Sequence, residues 1–221
     1  MKKKIAILGS TGSIGKILLN IVKKNKNFFD IILLTANKDH KTLYIQAKKY
    51  NVKNLIITNQ VSYKILKKKC KKSKINVYDN YSSFRTIFKK KVDYTMNSIV
   101  GFAGLKPTLE IIKFTKQIAI ANKESIICGW NLIKKKSILN KTKIIPIDSE
   151  HFSIWSSLNK LKINISTDLN KSIQNLFITA SGGPFRDTSL KNFKKITVNQ
   201  AIKHPTWKMG KKISIDSATL V

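Results

Sequence analysis

The stretch KIAILGSTGSIGKILLNIVK, residues 4–23, decides the expected fold of this chain. Its apolar run, Lys4–Leu8, is typical of a short buried strand and stops at a glycine. Glycines spaced GxxGxxG follow, from Gly9 to Gly15. The segment Ser13–Lys24 then has the apolar spacing of an amphipathic helix. We expect its inner face to consist of Ile14, Ile17, Leu18, Ile21 and Val22.

A glycine loop between a strand and a helix is the context that a dinucleotide-binding loop requires. Glycines let the backbone approach a pyrophosphate closely, and the helix N-terminus offers N–H donors and a partial positive charge. The sequence therefore predicts dinucleotide binding at Gly9–Gly15, with a tight turn that binds nothing as the alternative.

The residues after the second predicted strand bear on which dinucleotide binds. NAD-binding proteins usually place an acidic residue there, on the ribose 2′-hydroxyl. Here the chain reads Thr35-Ala36-Asn37-Lys38, which offers a cation and no acid before Asp39. This favours the 2′-phosphate of NADPH, although Lys38 is also consistent with one more surface lysine.

Strand and helix patterns alternate up to Pro146, which predicts a Rossmann-like α/β fold with a doubly wound parallel sheet. The expected strands are Lys4–Leu8, Ile31–Leu34, Asn54–Ile57, Ile75–Tyr78, Tyr94–Asn97, Gln117–Ala121 and Lys143–Pro146. We expect residues 1–147 to form this domain and residues 148–221 to form part of an α+β catalytic domain. In that second part, Ile173–Ala180 and Lys211–Asp216 are predicted strands, and Lys160–Ser172 a loop.

Composition excludes some classes of protein and leaves one open. No run of 18 apolar residues occurs, and the two cysteines make neither a disulfide framework nor a metal site, so we expect a soluble, cytoplasmic protein with no membrane partner. The formal net charge of +32 raises the alternative of a basic nucleic-acid-binding module. Because the lysines are spread along the whole chain, we interpret them as a solvated surface and expect no nucleic-acid partner.

Acidic residues are scarce, so the pair Asp148 and Glu150 after the last predicted strand stands out. Hard oxygen ligands at the carboxyl end of a strand suit Mg²⁺ or Mn²⁺. Asn122-Lys123-Glu124 follows the preceding predicted strand, where Lys123 could meet a phosphate. A helix start capped by Asn122, with Glu124 favouring the helix dipole, is a compatible reading.

An ordered set of motifs resembles one family, 1-deoxy-D-xylulose-5-phosphate reductoisomerase, along essentially the whole chain. The motifs are Gly9–Gly15, Ala121–Ser125, Pro146–His151, Ala180–Arg186, His204–Gly210 and Lys212–Thr219. The resemblance implies an oxidoreductase of isoprenoid precursor synthesis that rearranges 1-deoxy-D-xylulose 5-phosphate and reduces the product with NADPH to 2-C-methyl-D-erythritol 4-phosphate. It also implies a divalent cation, Mn²⁺ or Mg²⁺ with Co²⁺ possible, and a homodimer for the full-length enzyme.

The resemblance also implies a role for individual residues. Those at NADPH are Thr11, Gly12, Ser13 and Ile14 by the pyrophosphate, Asn37, Lys38 and Asp39 by the adenosine ribose, and Asn122, Glu124 and Gly210. The metal ligands are Asp148 and Glu150. The substrate-binding residues are Lys123, Ser149, Glu150, Ser181, His204, Trp207 and Ser217, with Trp207 in a flap that closes over the substrate. The catalytic set is Lys123, Asp148, Glu150 and His204.

The end of the chain predicts a missing continuation. Leu220-Val221 is an apolar end close to a predicted strand, and the resemblance implies a third metal-ligating glutamate, an Asn-Lys pair and a helical domain further on. We therefore expect a fragment with little or no turnover. The alternatives from the residues alone are another NADP-dependent sugar-phosphate or semialdehyde dehydrogenase, or the nucleic-acid-binding module.

Overall fold

Seven parallel strands form one sheet in the order β4-β3-β2-β1-β5-β6-β7. The computed structural model describes residues 1–160, 173–177, 182–206 and 211–219. The strands are β1 (Lys3–Leu8), β2 (Phe29–Ala36), β3 (Asn54–Ile57), β4 (Asn76–Tyr78), β5 (Tyr94–Asn97), β6 (Gln117–Ile120) and β7 (Lys143–Pro146). This sheet confirms the predicted Rossmann-like α/β class, and all seven predicted strands are present.

Helices connect the strands and cover both faces of the sheet. They are α1 (Ser13–Lys24), α2 (His40–Lys49), α3 (Gln60–Cys70), α4 (Phe84–Ile87), α5 (Leu105–Ile111) and α6 (Lys123–Leu139). Successive side chains of a strand point to opposite faces, so Ile5 and Ile7 belong to one core and Ala6 and Leu8 to the other. The first core packs against α1, α2 and α3, and the second against α4, α5 and α6.

The buried face of α1 differs from the predicted one. Gly15, Leu19 and Val22 are buried, whereas Ile14, Ile17 and Ile21 are 39%, 59% and 49% exposed. The prediction was wrong for those three isoleucines. The reason is Gly15, which has no side chain and therefore packs directly against the backbone of the loop before α1. The side of the helix that carries Gly15 consequently faces inward.

After β7 the chain forms helices that the sequence patterns did not predict. They are α7 (Ser149–Lys160), α8 (Val198–Ala201) and α9 (Lys211–Thr219). The strand predicted at Lys211–Asp216 is wrong, because those residues lie in α9. The apolar–polar alternation of residues 213–215 resembles that of a strand, yet the polar Ser214 is buried and Ile215 is 43% exposed.

Two further predictions fall partly outside the described residues. Residues 173–177 contain no strand, so that part of the predicted strand Ile173–Ala180 is wrong, and residues 178–180 lie outside the description. Lys160 ends α7 and does not begin a loop, and residues 161–172 are likewise outside it. Between β4 and β5, a 3₁₀ turn at Tyr81–Ser83 leads into the short helix α4.

The chain divides into two compact units, Met1–Lys160 and Leu161–Val221. The predicted domain boundary after residue 147 stays a prediction. Across the described residues, no helix has the length and apolar character needed to cross a membrane.

Candidate functional site

Most of the expected site residues in the first unit lie at one edge of the sheet. Because all seven strands are parallel, their carboxyl ends share that edge, and the loops after β1, β2, β6 and β7 carry Gly9–Gly15, Asn37–Asp39, Asn122–Glu124 and Asp148. The strand order reverses between β1 and β5, directly beside the glycine loop. Such a switch point opens the crevice in which α/β sheets bind ligands.

The three loop glycines have different physical roles. Gly9 has a φ of +80°, and a Cβ there would lie 3.0 Å from the Ser98 carbonyl. A Cβ on Gly15 would lie 2.6 Å from the carbonyl oxygen of Gly9. A Cβ on Gly12 would be 3.4 Å from that oxygen, an ordinary contact. Gly9 and Gly15 are therefore required by the fold, whereas Gly12 leaves open space where a ligand would approach.

The N-terminus of α1 supplies hydrogen-bond donors beside this space. The Lys16 N–H donates to the Gly12 carbonyl at 3.0 Å, so the Ser13, Ile14 and Gly15 N–H groups precede the first intrahelical bond. Gly12 is the N-cap residue and has no side chain to satisfy them. The expected pyrophosphate residues thus form a surface of backbone donors at a positive helix end.

The loop is anchored by residues that sequence reasoning missed. Ser10 is fully buried, its hydroxyl donates to Gln46 Oε1 at 2.7 Å, and Gln46 Nε2 donates back to the Ser10 carbonyl at 2.9 Å. Thr35 Oγ1 accepts from the Gly9 N–H at 3.0 Å. The available signal was the position of Gln46 three residues after the apolar Leu43, which puts both on one face of a helix, where a buried amide needs partners.

The segment after β2 has partners of its own. Asn37 Nδ2 donates to Thr58 Oγ1 at 3.0 Å, and the Lys38 carbonyl accepts from Ser62 Oγ at 2.8 Å, while the Lys38 side chain is exposed. Asp39 caps α2 by accepting from the Thr42 N–H at 3.0 Å. That backbone hydrogen bond holds the pKa of Asp39 below its usual value.

Asn122 lies at the start of α6 but does not cap it. Its Nδ2 donates to the Ile99 and Gly101 carbonyls, at 2.7 and 3.2 Å, so the expected cap hydrogen bond is absent. Its Oδ1 is buried and has no hydrogen-bond partner within the described chain. Lys123, the first residue of α6, and Glu124 are half-buried beside it.

The loop after β5 was also missed. Ser98 Oγ donates to the Leu8 carbonyl at 2.8 Å, which joins the end of β5 to the start of the glycine loop. Asn97 is fully buried, and its Nδ2 donates to the Gly104 carbonyl at 3.0 Å and to Thr108 Oγ1 at 2.5 Å. Adjacent polar residues at the end of a predicted strand were the signal for both.

Asp148 is the N-cap residue of α7 in its hydrogen bonding. Its carbonyl accepts from the Phe152 N–H at 2.9 Å, and its Oδ1 accepts from the His151 N–H at 3.0 Å. His151 Nδ1 also donates to Oδ1, at 2.5 Å. The Asp148 side chain is 11% exposed, and Oδ2 is buried without a hydrogen-bond partner in the described part of the chain. A buried carboxylate oxygen with no donor is chemically suited to a cation.

The structure is described less fully for the other metal and substrate residues. Ser149 and Glu150 open α7, and their side chains lie outside the description, as do Ser181, Trp207 and Gly210. No group of three His, Cys, Asp or Glu side chains suited to a metal ion occurs among the residues described. Of the two expected metal-ligating carboxylates, only that of Asp148 can therefore be placed.

The second unit carries two of the expected substrate residues. The Ser217 hydroxyl donates to the Ser214 carbonyl within α9 at 2.7 Å, and His204 Nδ1 accepts from the Thr206 N–H at 3.2 Å. Gly183 has a φ of +65°, and a Cβ there would lie 2.2 Å from the Ser217 carbonyl oxygen. The glycine turn after residue 181 thus packs directly on the helix that carries Ser217.

The sheet order, with a glycine loop at its switch point, defines a Rossmann-like α/β protein. A family model for 1-deoxy-D-xylulose 5-phosphate reductoisomerase matches residues 5–129, and the model for its C-terminal domain matches residues 144–221. The chain belongs to the 1-deoxy-D-xylulose 5-phosphate reductoisomerase family.

Individual relatives agree along the whole chain. The reductoisomerase of Pelagibacter ubique is 57% identical over 99% of this chain and 55% of its own length. That of Wolbachia pipientis from Culex pipiens is 42% identical over 99% of the chain and 54% of its own length. This chain therefore spans about half the length of the curated relatives it matches.

Solved structures give the same result. The Zymomonas mobilis reductoisomerase in complex with NADPH superposes with a TM-score of 0.85, at 34% identity over 100% of this chain and 55% of its own. A reductoisomerase solved with NADPH, fosmidomycin and magnesium also has a TM-score of 0.85, at 34% identity over 99% of this chain and 55% of its own.

Proposed function

We propose that this chain carries the NADPH-binding surface and part of the divalent-metal and substrate site of a 1-deoxy-D-xylulose-5-phosphate reductoisomerase. One observation carries the proposal: a glycine loop with an open helix N-terminus and a buried carboxylate oxygen that has no donor among the described residues lie at the same edge of one sheet. When bound, NADPH supplies the hydride, and a divalent cation polarises the substrate's oxygens.

The NADPH pyrophosphate binds at the N-terminus of α1. The N–H groups of Ser13 and Ile14 donate to it, and the missing side chain of Gly12 lets it approach. Thr11, half-buried in the loop, adds a hydroxyl. The exposed Lys38 side chain pairs with the 2′-phosphate, while Asp39 stays occupied as the α2 cap.

The nicotinamide end lies toward β5 and β6. Asn122 is held there by its two hydrogen bonds to backbone carbonyls, which leaves its Oδ1 as a fixed, buried acceptor. Glu124 and, from the second unit, Gly210 complete the NADPH set that the family resemblance implies.

Asp148, whose buried Oδ2 has no donor among the described residues, and Glu150 would hold the cation. The sugar phosphate is bound by Lys123, Ser149, Glu150, Ser181, His204, Trp207 and Ser217, with Trp207 excluding water from the site. Lys123 is half-buried at the start of α6, where its ammonium group can neutralise substrate charge. The complete reaction belongs to the longer protein, since this chain matches about 55% of the length of its relatives. We infer that the full-length enzyme is a cytoplasmic homodimer.

NADPH and NADH titrations by calorimetry test the proposal on this chain. We expect NADPH to bind more tightly than NADH, and Lys38→Ala to remove most of that preference without weakening NADH. Lys24→Ala, at the far end of α1, is the matched control for the loss of one exposed lysine. Equal affinity for both dinucleotides, or an unchanged preference in Lys38→Ala, would contradict the NADPH assignment.

Metal binding and turnover are separate measurements. Asp148→Asn is expected to abolish specific Mn²⁺ binding, while NADPH affinity is unchanged because Asp148 belongs to a different loop of the sheet edge. We expect this 221-residue chain to show little or no oxidation of NADPH with 1-deoxy-D-xylulose 5-phosphate and Mn²⁺. Rapid turnover by this chain alone would overturn that expectation.

A further inference from the structure

His151 is a conspicuous side chain beside the proposed metal ligand, and none of the roles above uses it. We propose that His151 is a positioning residue that orients the Asp148 carboxylate so that Oδ2 is presented to the cation. The inference rests on the proposed metal site and adds a residue to its support.

Two hydrogen bonds converge on one oxygen of the carboxylate. Asp148 Oδ1 accepts from the His151 backbone N–H at 3.0 Å and from His151 Nδ1 at 2.5 Å. With both donors on Oδ1, rotation of the carboxylate is restrained and Oδ2 faces away from them. Oδ2 is buried and has no other partner among the described residues, so it is the oxygen left for a cation.

The two bonds have different meanings. The backbone bond is the ordinary N-cap interaction, and any residue at position 151 would make it. The hydrogen bond from the imidazole ring, by contrast, requires a side chain that places a donor where Nδ1 lies. Since a carboxylate only accepts, the proton lies on Nδ1. Donors that orient a metal-ligating group in this way typically change metal affinity when they are removed.

A purely structural role does not account for the histidine. Its side chain is 52% exposed, so it fills no core position. Asp148, by contrast, is 11% exposed, and the ring Nδ1 lies 2.5 Å from its Oδ1. The geometry therefore favours a function exerted through Asp148 over a packing function.

Mn²⁺ titration of the 221-residue chain, followed by electron paramagnetic resonance at neutral pH, tests the inference without using turnover. We expect His151→Ala to weaken Mn²⁺ binding by about 10-fold or more. His151→Asn, whose amide nitrogen can replace Nδ1, should recover most of that loss, whereas His151→Gln, which places its nitrogen near Nε2, should not. His40→Ala is the control for removing an imidazole elsewhere.

The outcomes separate this inference from the proposed metal site. If Asp148→Asn removes Mn²⁺ binding but His151→Ala leaves it unchanged or tighter, the positioning role is overturned and the metal site stands. The same holds if His151→Asn and His151→Gln behave alike. If the parent chain binds no Mn²⁺, or Asp148→Asn binds it as well as the parent, the metal site is overturned and this inference with it. Circular dichroism of each variant shows whether α7 is intact, and the Asn–Gln comparison decides if His151→Ala does not fold.

Discussion

Substituting Gly15 with alanine tests the packing of the glycine loop. The new Cβ would lie 2.6 Å from the Gly9 carbonyl oxygen and 2.6 Å from Ser10 Cα, roughly 0.8 Å inside the 3.4 Å at which ordinary contact begins. All of these obstacles are backbone atoms, and Ser10 is fixed by its bonds to Gln46, so the strain cannot be relieved by a side-chain rotation.

The magnitude follows from two opposing effects. Overpacking a tight contact costs about 1–3 kcal/mol, and overlap with backbone atoms that cannot move places this one at about 2–3 kcal/mol, whereas replacing a helical glycine by alanine returns about 1 kcal/mol. We therefore expect Gly15→Ala to lower the free energy of unfolding by about 1–2 kcal/mol. For a chain of this size that corresponds to a fall in Tm of about 2–8 °C.

Gly12→Ala is the matched control. Its Cβ would make an ordinary 3.4 Å contact, so stability should change by no more than about 0.5 kcal/mol. NADPH affinity, measured by calorimetry, should fall in both variants, because the Gly12 methyl group occupies the ligand's space and Gly15→Ala shifts the donors. The reasoning is refuted if Gly15→Ala melts with the parent chain, or if Gly12→Ala is destabilised as much as Gly15→Ala.

Three other substitutions probe hydrogen bonds that hold the glycine loop, the end of β5 and the amino end of the sheet. Gln46→Leu removes the 2.7 Å acceptor of the Ser10 hydroxyl, which keeps only the Thr35 carbonyl at 3.3 Å, and the side-chain donor to the buried Ser10 carbonyl. Urea denaturation should therefore show a loss of about 1–3 kcal/mol in the free energy of unfolding; an unchanged midpoint would contradict that role. Asn97→Ala removes the hydrogen bonds that Asn97 donates to Gly104 and Thr108, so the free energy of unfolding should fall by about 1–3 kcal/mol. A change of less than about 0.5 kcal/mol, as is usual for surface residues, would contradict this role. The hydrogen bond from Lys116, followed by that from the Lys4 N–H, holds the pKa of Asp93 below its usual value, so its carboxylate adds stability that is lost as the pH falls through that lowered pKa. The Tm difference between the parent and Asp93→Asn should be present at neutral pH and close between about pH 5 and pH 2; a constant difference would exclude the mechanism.

Much of the first unit could be predicted because its signals are local. The bounds of β3, β5, β7 and α1 agree with the sequence patterns to the residue, since short apolar runs with polar or proline residues at their ends, and apolar residues at helical spacing, are signals within one segment of the chain. The placement of Asn122 and Asp148 at one edge followed from the parallel sheet alone. Their hydrogen-bond partners did not, because Ile99, Gly101 and His151 become neighbours only through particular backbone turns.

The errors also have physical causes. In α1, the apolar face predicted from residue spacing included Ile14, Ile17 and Ile21. The helix instead packs through Gly15 against the preceding loop, which leaves those three side chains exposed. In α9, two isoleucines two residues apart imitated a strand, because a short apolar alternation does not distinguish the two structures.

The sequence by itself determined the class of sheet, the position of the glycine loop, the acidic pair and the family, since these depend on residue type, spacing and motif order. The tertiary structure decided which glycines the fold requires, which oxygen of Asp148 has no donor among the described residues, and that His151 and Gln46 hydrogen-bond to Asp148 and Ser10. Those properties depend on distances between segments that are far apart in the chain or turned toward each other by a helix start, and such distances are set only when the sheet and its helices pack together.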